Sequence, residues 1–203
     1  YVVSRNTYKL KSFYTWVIFI PMIFNGGMLA GYVVNTNILH LRNSIWALIL
    51  PLAVSPFNIV ICKTFFKTTI PDSIVESAKI DGAGHTKIFF QITFPLGKPI
   101  LVTMGLFSAL AYWNDWTNGL YYLSGNEGQK LYSIQNLLNQ MITDIQYLSS
   151  GKVIGNIGAE VAKLPTTSIR MAIAFIAMLP LFIIYPFLQK YFAEGITLGA
   201  VKG

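Results

Sequence analysis

The sequence predicts an all-α membrane protein, a polytopic bundle of transmembrane helices. Of its 203 residues, 54% are hydrophobic and only 11% are charged, whereas a soluble domain carries about 25% charged residues. The mean hydropathy is +0.54. Four long apolar runs each approach or exceed the ~20 residues that cross a bilayer as a helix. None of them shows the short alternating pattern of a barrel strand.

These runs are predicted to be four spans of one transmembrane domain, at about residues 13–34, 43–62, 99–123 and 171–189. Two of the spans contain polar residues together with helix-weakening neighbours. Asn25 and Asn58 fit a polar cavity inside a bundle, and the alternative is that they belong to ordinary kinks and helix contacts.

Lysine and arginine residues favour one side of the predicted membrane. Ten of the 15 precede the first span, lie between the second and third spans, or follow the last one. Because cytoplasmic loops collect these residues, both ends and that loop are predicted to be cytoplasmic, and segment 124–169 to be external. This topology accounts for the net charge of +7 without a nucleic acid partner.

The loop between the second and third spans is polar in its first half and apolar in its second. Pro71 suits the first turn of a helix and Gly82 suits its end, so a short helix is predicted over 69–81. Apolar residues then recur at helical spacing until Pro95, which is expected to stop the helix. The sequence predicts two short cytoplasmic helices joined at a glycine turn.

The first of these helices is predicted to be two-sided. Its apolar side would contain Ile74, Val75, Ala78 and Ile80, and its polar side would contain Asp72, Glu76 and Lys79.

The same segment has a specific spacing. Glu76 is followed six residues later by Gly82, and nine further residues lead to Ile92, Phe94 and Pro95. This order resembles the cytoplasmic loop of permeases from binding-protein-dependent ABC importers, written EAA, three residues, G, nine residues, I-x-L-P. The sequence departs from that pattern at Ser77, where alanine is usual, and at Phe94, where leucine is usual.

A wider resemblance points to the carbohydrate branch of that family, the maltose-type and oligosaccharide permeases. It rests on the stretches "ESAKIDGAGHTKIFFQITFPLGKPIL", "YWNDW" and "GITLGAVKG". Such permeases usually have six spans and lie in the bacterial inner, or cytoplasmic, membrane as multi-pass proteins. The resemblance implies that the four spans here are the last four, and that the first two lie outside this chain.

The resemblance also implies a role for the loop 69–95 as a coupling segment, which inserts into a cleft on a cytoplasmic ATPase. The residues expected at this contact are Glu76, Ser77, Ala78, Asp81, Gly82, Ala83 and Pro95. Glu76 is the candidate for a charge-assisted contact with an arginine of the ATPase. The competing interpretation is that Glu76 and Asp81 are solvated and pair weakly with Lys79 or Lys87.

The end of the chain, 190–203, is predicted to be a cytoplasmic tail. Its last nine residues contain three glycines and no core-forming pattern, which is typical of a disordered tail. In the maltose-type permeases that it resembles, the matching tail reaches the ATPase dimer interface. The residues expected there are Gly195, Gly199, Lys202 and Gly203.

Aromatic and polar residues cluster near the outer end of the third span. They are Tyr112, Trp113, Asn114, Asp115, Trp116 and Asn118. Flat rings beside amide and carboxylate groups suit sugar binding, since rings stack on C–H faces while polar groups bond hydroxyls. An aromatic belt that anchors the helix at the interface explains them about as well.

The external segment contains an amphipathic stretch over 131–145. Its apolar residues share one side of a helix. That helix would either pack on the protein's own spans or dock a solute-binding protein.

No catalytic group of residues is apparent. His40 and His85 are isolated, Cys62 is the single cysteine, and no metal-ligand spacing occurs. The chain is therefore predicted to be no enzyme, to hold no metal and to bind no cofactor, with ATP and Mg on a partner ATPase. The competing class is a secondary transporter or channel subunit, which would ordinarily carry ion-coupling carboxylates or histidines deep in its spans.

The partners that the resemblance implies are a second homologous permease, two ATPase subunits, an extracellular solute-binding protein, a carbohydrate substrate and membrane lipid.

Overall fold

The computed structural model describes residues 1–149 and 166–200, with side chains over 1–147 and 167–186. The described residues form helices and connecting turns without a β-strand, so the predicted all-α class is confirmed. The helices are α1 (Lys11–Ile23), α2 (Gly27–Val33), α3 (Trp46–Ala53), α4 (Pro56–Thr69), α5 (Asp72–Ile80), α6 (His85–Ile88), α7 (Phe94–Leu96), α8 (Lys98–Asn114), α9 (Thr117–Tyr122), α10 (Gly125–Gln129), α11 (Ile134–Ser149) and α12 (Thr166–Ala200).

Three shorter helical pieces complete this order. A 3-10 turn at Val2–Ser4 precedes α1, a π-helix at Val34–Ile38 continues α2, and a second π-helix at Phe89–Thr93 joins α6 to α7.

Short breaks interrupt the first three predicted spans. At the first, Asn25 Oδ1 accepts a hydrogen bond from the backbone N–H of Gly27, which has a φ of +77°. At the second, the Ser55 hydroxyl caps α4 by accepting from the N–H of Asn58, and Pro56 occupies the first turn. The third lies between α8 and α9. At the first two breaks, a side chain thus accepts a hydrogen bond at the start of the next helix.

One described helix is long and apolar enough to cross a membrane by itself, over Thr167–Pro186. The total rises to four when each of three bent helix pairs is taken as one span, and these pairs are Lys11–Ile23 with Gly27–Ile38, Trp46–Ala53 with Pro56–Thr69, and His85–Leu96 with Lys98–Asn114. The expected four spans therefore stay a prediction that this architecture allows.

The chain divides into two compact units. The first comprises residues 1–27, 53–109 and the chain from 188, and the second comprises 28–52 and 110–187. The core of the first unit is an apolar cluster around the loop between α4 and α8. Its buried members are Phe66, Ile70, Val75, Ala78, Ile88, Ile100 and Met104. Full burial of one such large side chain contributes about 1.5–3 kcal/mol to the stability of the fold. The cluster therefore holds this loop against α4 and α8.

In the second unit, α9 is held from several directions. The N–H of Asn43 donates to the carbonyl of Tyr122 over 3.0 Å, and Asn43 Oδ1 accepts from the N–H of Ser124 over 2.7 Å. The ring of Tyr122 stacks on Tyr32 with centroids 6.1 Å apart. These contacts bury Tyr122 and hold the turn after α9.

Many large apolar side chains remain exposed on the long helices. On α12, Met171, Phe175 and Phe182 are each more than half exposed. Water would disfavour so much apolar surface, whereas lipid tails would not. This surface fits a chain embedded in a membrane.

Several predicted boundaries differ from the structure. The loop helix begins at Asp72 instead of residue 69, because Pro71 forces Ile70 into an extended conformation. Pro95 does not end the second helix, because the helical backbone runs on through the π-helix and α7 to Leu96.

The predicted boundaries of two longer helices were also wrong. The helix expected over 131–145 begins at Ile134 and runs to Ser149. The last helix continues to Ala200, so residues 195–200 are helical and the expected disordered tail is wrong for them. Pro180 and Pro186 lie inside this helix.

Candidate functional site

Helix α5 is the centre of the segment that the motif singles out. Pro71 is its N-cap, and Asp72 places a carboxylate in the first turn, where the positive end of the helix dipole favours it. The helix has nine residues and is therefore about 14 Å long. It is too short to span a bilayer and long enough to present one face to a partner.

The end of α5 is a Schellman turn. The N–H of Ala83 donates to the carbonyl of Ala78 over 2.9 Å, and the N–H of Gly82 donates to that of Lys79 over 3.0 Å. Gly82 has a φ of +76°, which glycine adopts without the clash of a Cβ atom. The half-buried Ala83 packs against the same apolar cluster as Ala78. The chain thus reverses sharply at the glycine that the motif specifies.

One face of α5 is buried in the core of the first unit. Val75 and Ala78 are 8% and 9% exposed. Ile80 was predicted on this apolar side, but it is 86% exposed, because it lies two residues beyond Ala78 on the opposite side of the helix. Ile74 is also partly exposed.

The other face of α5 is open. Glu76, Ser77, Lys79 and Asp81 are exposed, as are Gly82 and Pro95 further along. Of the residues expected at an ATPase contact, Ala78 is instead buried and packs into the apolar core of the first unit. The remaining ones lie at or near the surface of this segment.

The two acids of this face have no partner among the neighbouring lysines. Within the described residues, the salt bridges are Arg5 with Asp72 and Lys130 with Glu127. Glu76 and Asp81 therefore form a salt bridge with neither Lys79 nor Lys87 in this structure, and both are exposed. Contact with an ATPase and simple solvation both stay predictions for these two acids.

Arg5 anchors the start of α5. Its guanidinium donates to the carbonyls of Ile70 over 2.8 Å and Phe66 over 3.3 Å, and to Asp72 Oδ1 over 3.0 Å. The guanidinium carbon lies 4.8 Å from the centre of the Tyr1 ring. The Arg5 side chain is only 9% exposed, so it is part of the interior of this unit.

A groove of about 400 Å³ opens beside α5. One wall is formed by α5, including Glu76 and Lys79, and the other by the segment that precedes α1, including Arg5 and Tyr8. His85 also lines this groove. Side chains of both charges thus surround a concave surface next to the exposed face.

The aromatic and polar cluster near residue 115 lies in the second unit. The Tyr112 hydroxyl donates to the carbonyl of Ile49 over 2.8 Å, and Trp113 Nε1 donates to that of Ala177 over 3.1 Å. Both rings are half-buried. Their polar atoms already form hydrogen bonds with neighbouring helices. Asn114 and Trp116 are exposed.

Asp115 acts as a cap for α9. Its Oδ1 accepts from the backbone N–H of Asn118 over 3.1 Å, and its Oδ2 accepts from Asn118 Nδ2 over 2.8 Å. Beside it, the buried Asn136 donates through Nδ2 to the carbonyl of Trp116 over 2.5 Å, and Ser133 Oγ donates to the Asn136 Oδ1. This polar network secures the break between α8 and α9.

The other two pathway candidates belong to the first unit. Asn25 is exposed and is engaged in the turn before α2, while Asn58 is half-buried in the first turn of α4. Of the pathway candidates in the second unit, Asp115 and Asn118 are joined by hydrogen bonds, whereas Tyr112 and Trp113 bond the carbonyls of Ile49 and Ala177.

The predicted tail contacts are described only in part. Gly195 and Gly199 lie within the helical backbone of α12. Lys202 and Gly203 lie outside the described residues.

Comparison with known families agrees with the motif. Residues 8–198 match the profile of the family described as the binding-protein-dependent transport system inner membrane component. This match covers most of the chain. The chain belongs to this family. Membership makes it a membrane-embedded transport component, and the resemblance stated from the motif is confirmed.

Curated members of the family are similar over the whole chain. Protein LplC of Bacillus subtilis (strain 168) is 38% identical over 100% of this chain and 66% of its own length. The polygalacturonan/rhamnogalacturonan transport system permease protein YtcP of the same organism is 40% identical, over 100% of this chain and 68% of its own. The chain thus spans about two thirds of the length of these relatives.

A solved structure is also similar. It is the crystal structure of a bacterial ABC transporter involved in the import of the acidic polysaccharide alginate. The TM-score is 0.72 at 26% identity, and the match covers 94% of this chain and 65% of that one.

Sequence reasoning missed two residues that hold this permease together. From the sequence, Arg5 was used only as one of the cations predicted to be cytoplasmic. Asn136 lies in the amphipathic stretch 131–145, and no role was predicted for it. The partners of Arg5 lie 61–67 residues away, so no local spacing could reveal them. Asn136 lies among other amide residues of α11, such as Asn139 and Gln140, so nothing in the sequence distinguished it.

Proposed function

We propose that this chain is the membrane-spanning permease subunit of an ATP-binding-cassette importer. It forms part of the translocation pathway for a carbohydrate, an oligosaccharide or polysaccharide fragment. It couples this movement to ATP hydrolysis on two partner ATPase subunits, and it binds neither ATP nor Mg itself. A second homologous permease and an extracellular solute-binding protein complete the assembly.

The observation that carries this proposal is the two-sided construction of α5. Val75 and Ala78 fix the helix to the core of the first unit, while the unpaired Glu76 lies on the exposed face. A carboxylate on a firmly held surface helix is suited to a charge-assisted contact with an arginine of a partner. The family to which the chain belongs supplies a class of partner for such a face.

The carbohydrate class rests on the named relatives. YtcP is named for polygalacturonan and rhamnogalacturonan transport, and the similar solved structure is described as importing alginate. Half-buried aromatic rings beside Asp115 and Asn118 suit a sugar, since rings stack on its C–H faces. Transport of labelled oligosaccharides into vesicles that carry the complete importer would identify the substrate.

The coupling role predicts a selective effect of Glu76→Ala. The variant removes the carboxylate of the exposed face and leaves the buried face of α5 intact. We expect ATPase subunits to co-purify with the parent chain and to be lost from the variant, with affinity reduced by roughly 10-fold or more, as for a charge-assisted hydrogen bond of about 1.5–3 kcal/mol. Co-purification from solubilised membranes, followed by quantification of the ATPase band, measures this.

Glu127→Ala is the matched control. Glu127 is also an exposed acid, but it pairs with Lys130 on the surface of the second unit. We expect this variant to retain the ATPase subunits fully. Equal retention by Glu76→Ala and Glu127→Ala would contradict the role proposed for α5, and uptake driven by an ion gradient without an ATPase would favour the secondary transporter.

A further inference from the structure

We propose that Arg5 is a positioning residue that locks the end of α4 to the start of α5, so that the two helices move as one body. The inference rests on the proposed function, because it concerns how movement of α5 reaches the membrane. It assigns a mechanical role to a residue outside the coupling motif.

The first half of this lock is the end of α4. Phe66 and Ile70 contribute their carbonyl oxygens to the Arg5 guanidinium. Carbonyls at the end of a helix have no partner within the helix, and the dipole makes this end negative. A buried cation at this place therefore satisfies two acceptors that would otherwise be left in the interior.

The second half is the start of α5. The same Nη1 atom that donates to the carbonyl of Ile70 also donates to Asp72 Oδ1. Only Ile70 and Pro71 separate the two helices along the chain. In residues 1–149, no side chain of α4 hydrogen-bonds directly to α5, so the polar connection between them passes through Arg5.

A guanidinium suits this position better than an ammonium. Its planar fork of donors reaches both carbonyls and the carboxylate in fixed directions. Burial of a cation is costly unless geometry and hydrogen bonds compensate, and here the side chain is 9% exposed. A positive charge alone is therefore not sufficient at this position, because the three acceptors need the several donors of a guanidinium.

The lock extends to the first helix of the chain. Arg5 lies shortly before α1, and Lys63 Nζ of α4 donates to Thr15 Oγ1 of α1 over 3.0 Å. Helix α1 is thus in contact with the middle of α4. A push on α5 would then reach two membrane-associated helices together.

The test measures the distance between spin labels on α4 and α5 in the complete importer. Thr64 and Ile80 are exposed positions on the two helices and would carry the labels in a cysteine-free background that includes Cys62→Ser. In the parent protein we expect one narrow distance distribution, unchanged between the nucleotide-free state and the state trapped with Mg-ATP and vanadate.

In Arg5→Gln we expect a broader distribution that changes on trapping. We also expect the stimulation of ATP hydrolysis by the solute-binding protein to fall by roughly threefold or more, in the range of mutations along coupling networks. Arg5→Lys should rescue this only in part, and Asp72→Asn should have a smaller effect, since Asp72 is 53% exposed. A purely structural role would lower the yield of folded complex without changing stimulation per complex.

Lys130→Gln is the control, because it removes an ion pair that is exposed on both sides. An Arg5→Gln distribution equal to that of the parent in both states would overturn the inference. If Arg5→Gln fails to fold, the same distance measurements on Arg5→Lys and Asp72→Asn test the inference, and distributions equal to that of the parent in both states would overturn it. The nucleotide-free distances test the lock even if no ATPase binds, whereas absence of an ATPase from the parent complex would refute the proposed function.

Discussion

Gly82 shows how one residue sets the shape of the candidate site. Its φ of +76° permits the two hydrogen bonds that close the end of α5. No atom lies within 4 Å of the position that a Cβ atom would occupy. The requirement for glycine is therefore one of backbone conformation, and crowding plays no part in it.

Gly82→Ala is accordingly expected to destabilise the turn by about 1–2 kcal/mol, the cost of a left-handed conformation for a residue with a Cβ atom. Local opening should then increase by about 5- to 30-fold. Limited trypsin digestion, with cleavage after Lys79 and Lys87 followed by mass spectrometry, measures this opening. Gly84→Ala is the matched control, since Gly84 has open space around it and no positive φ, and equal cleavage of both variants would show that the turn tolerates a side chain.

The sequence predicted Gly82 and missed Arg5 for one physical reason. A Schellman turn is local, since all its bonds join residues within a few positions of each other. The hydrogen bonds of Arg5 join residues more than 60 positions apart. Ile80 was placed on the wrong face of α5 because hydrophobicity alone does not show which apolar residues the core can reach.

At the level of helices, the breaks inside the apolar runs decide the architecture. Hydropathy predicted where apolar runs lie, because composition carries that signal directly. It did not predict that new helices begin at α2, α4 and α9, since those starts depend on hydrogen bonds accepted by Asn25, Ser55 and Asp115. Capping needs a single side chain in the right geometry, which hydropathy averages conceal.

Helix α9 provides a prediction at this scale. A Cβ atom on Gly119 would clash with the side chain of Asn136, which bonds the carbonyl of Trp116. Gly119→Ala should therefore displace Asn136 and leave that carbonyl without its partner.

We expect a loss of about 1–3 kcal/mol, the usual cost of overpacking, visible as a lower melting temperature of the purified protein in detergent. Gly105→Ala is the control, because Gly105 lies inside α8 and a methyl group added there would lie more than 4 Å from any atom outside the nearby backbone of its own helix and its chain neighbours. If Gly119→Ala has the same melting temperature as Gly105→Ala, Asn136 does not stabilise the break between α8 and α9.

For the whole molecule, the distribution of charge predicts which side each segment faces. Ten of the 15 lysines and arginines lie on the side assigned to the cytoplasm, and loops that carry many of them stay inside. Helix α5 belongs to that side, whereas Glu127 belongs to the segment predicted to be external. The proposed function requires this orientation, because a helix on the outer surface could not meet a cytoplasmic ATPase.

Single cysteines at Ile80 and Glu127 test the orientation directly. Ile80 is 86% exposed and the Glu127 side chain is 76% exposed, so both should react with a maleimide whenever the reagent reaches them. With a membrane-impermeant maleimide, we expect Glu127→Cys to be labelled in intact spheroplasts, and Ile80→Cys only in inverted vesicles from which the ATPase subunits have been removed. Since both sites are open to solvent, labelling of Ile80→Cys from outside would reverse the topology and remove the physical basis for coupling through α5.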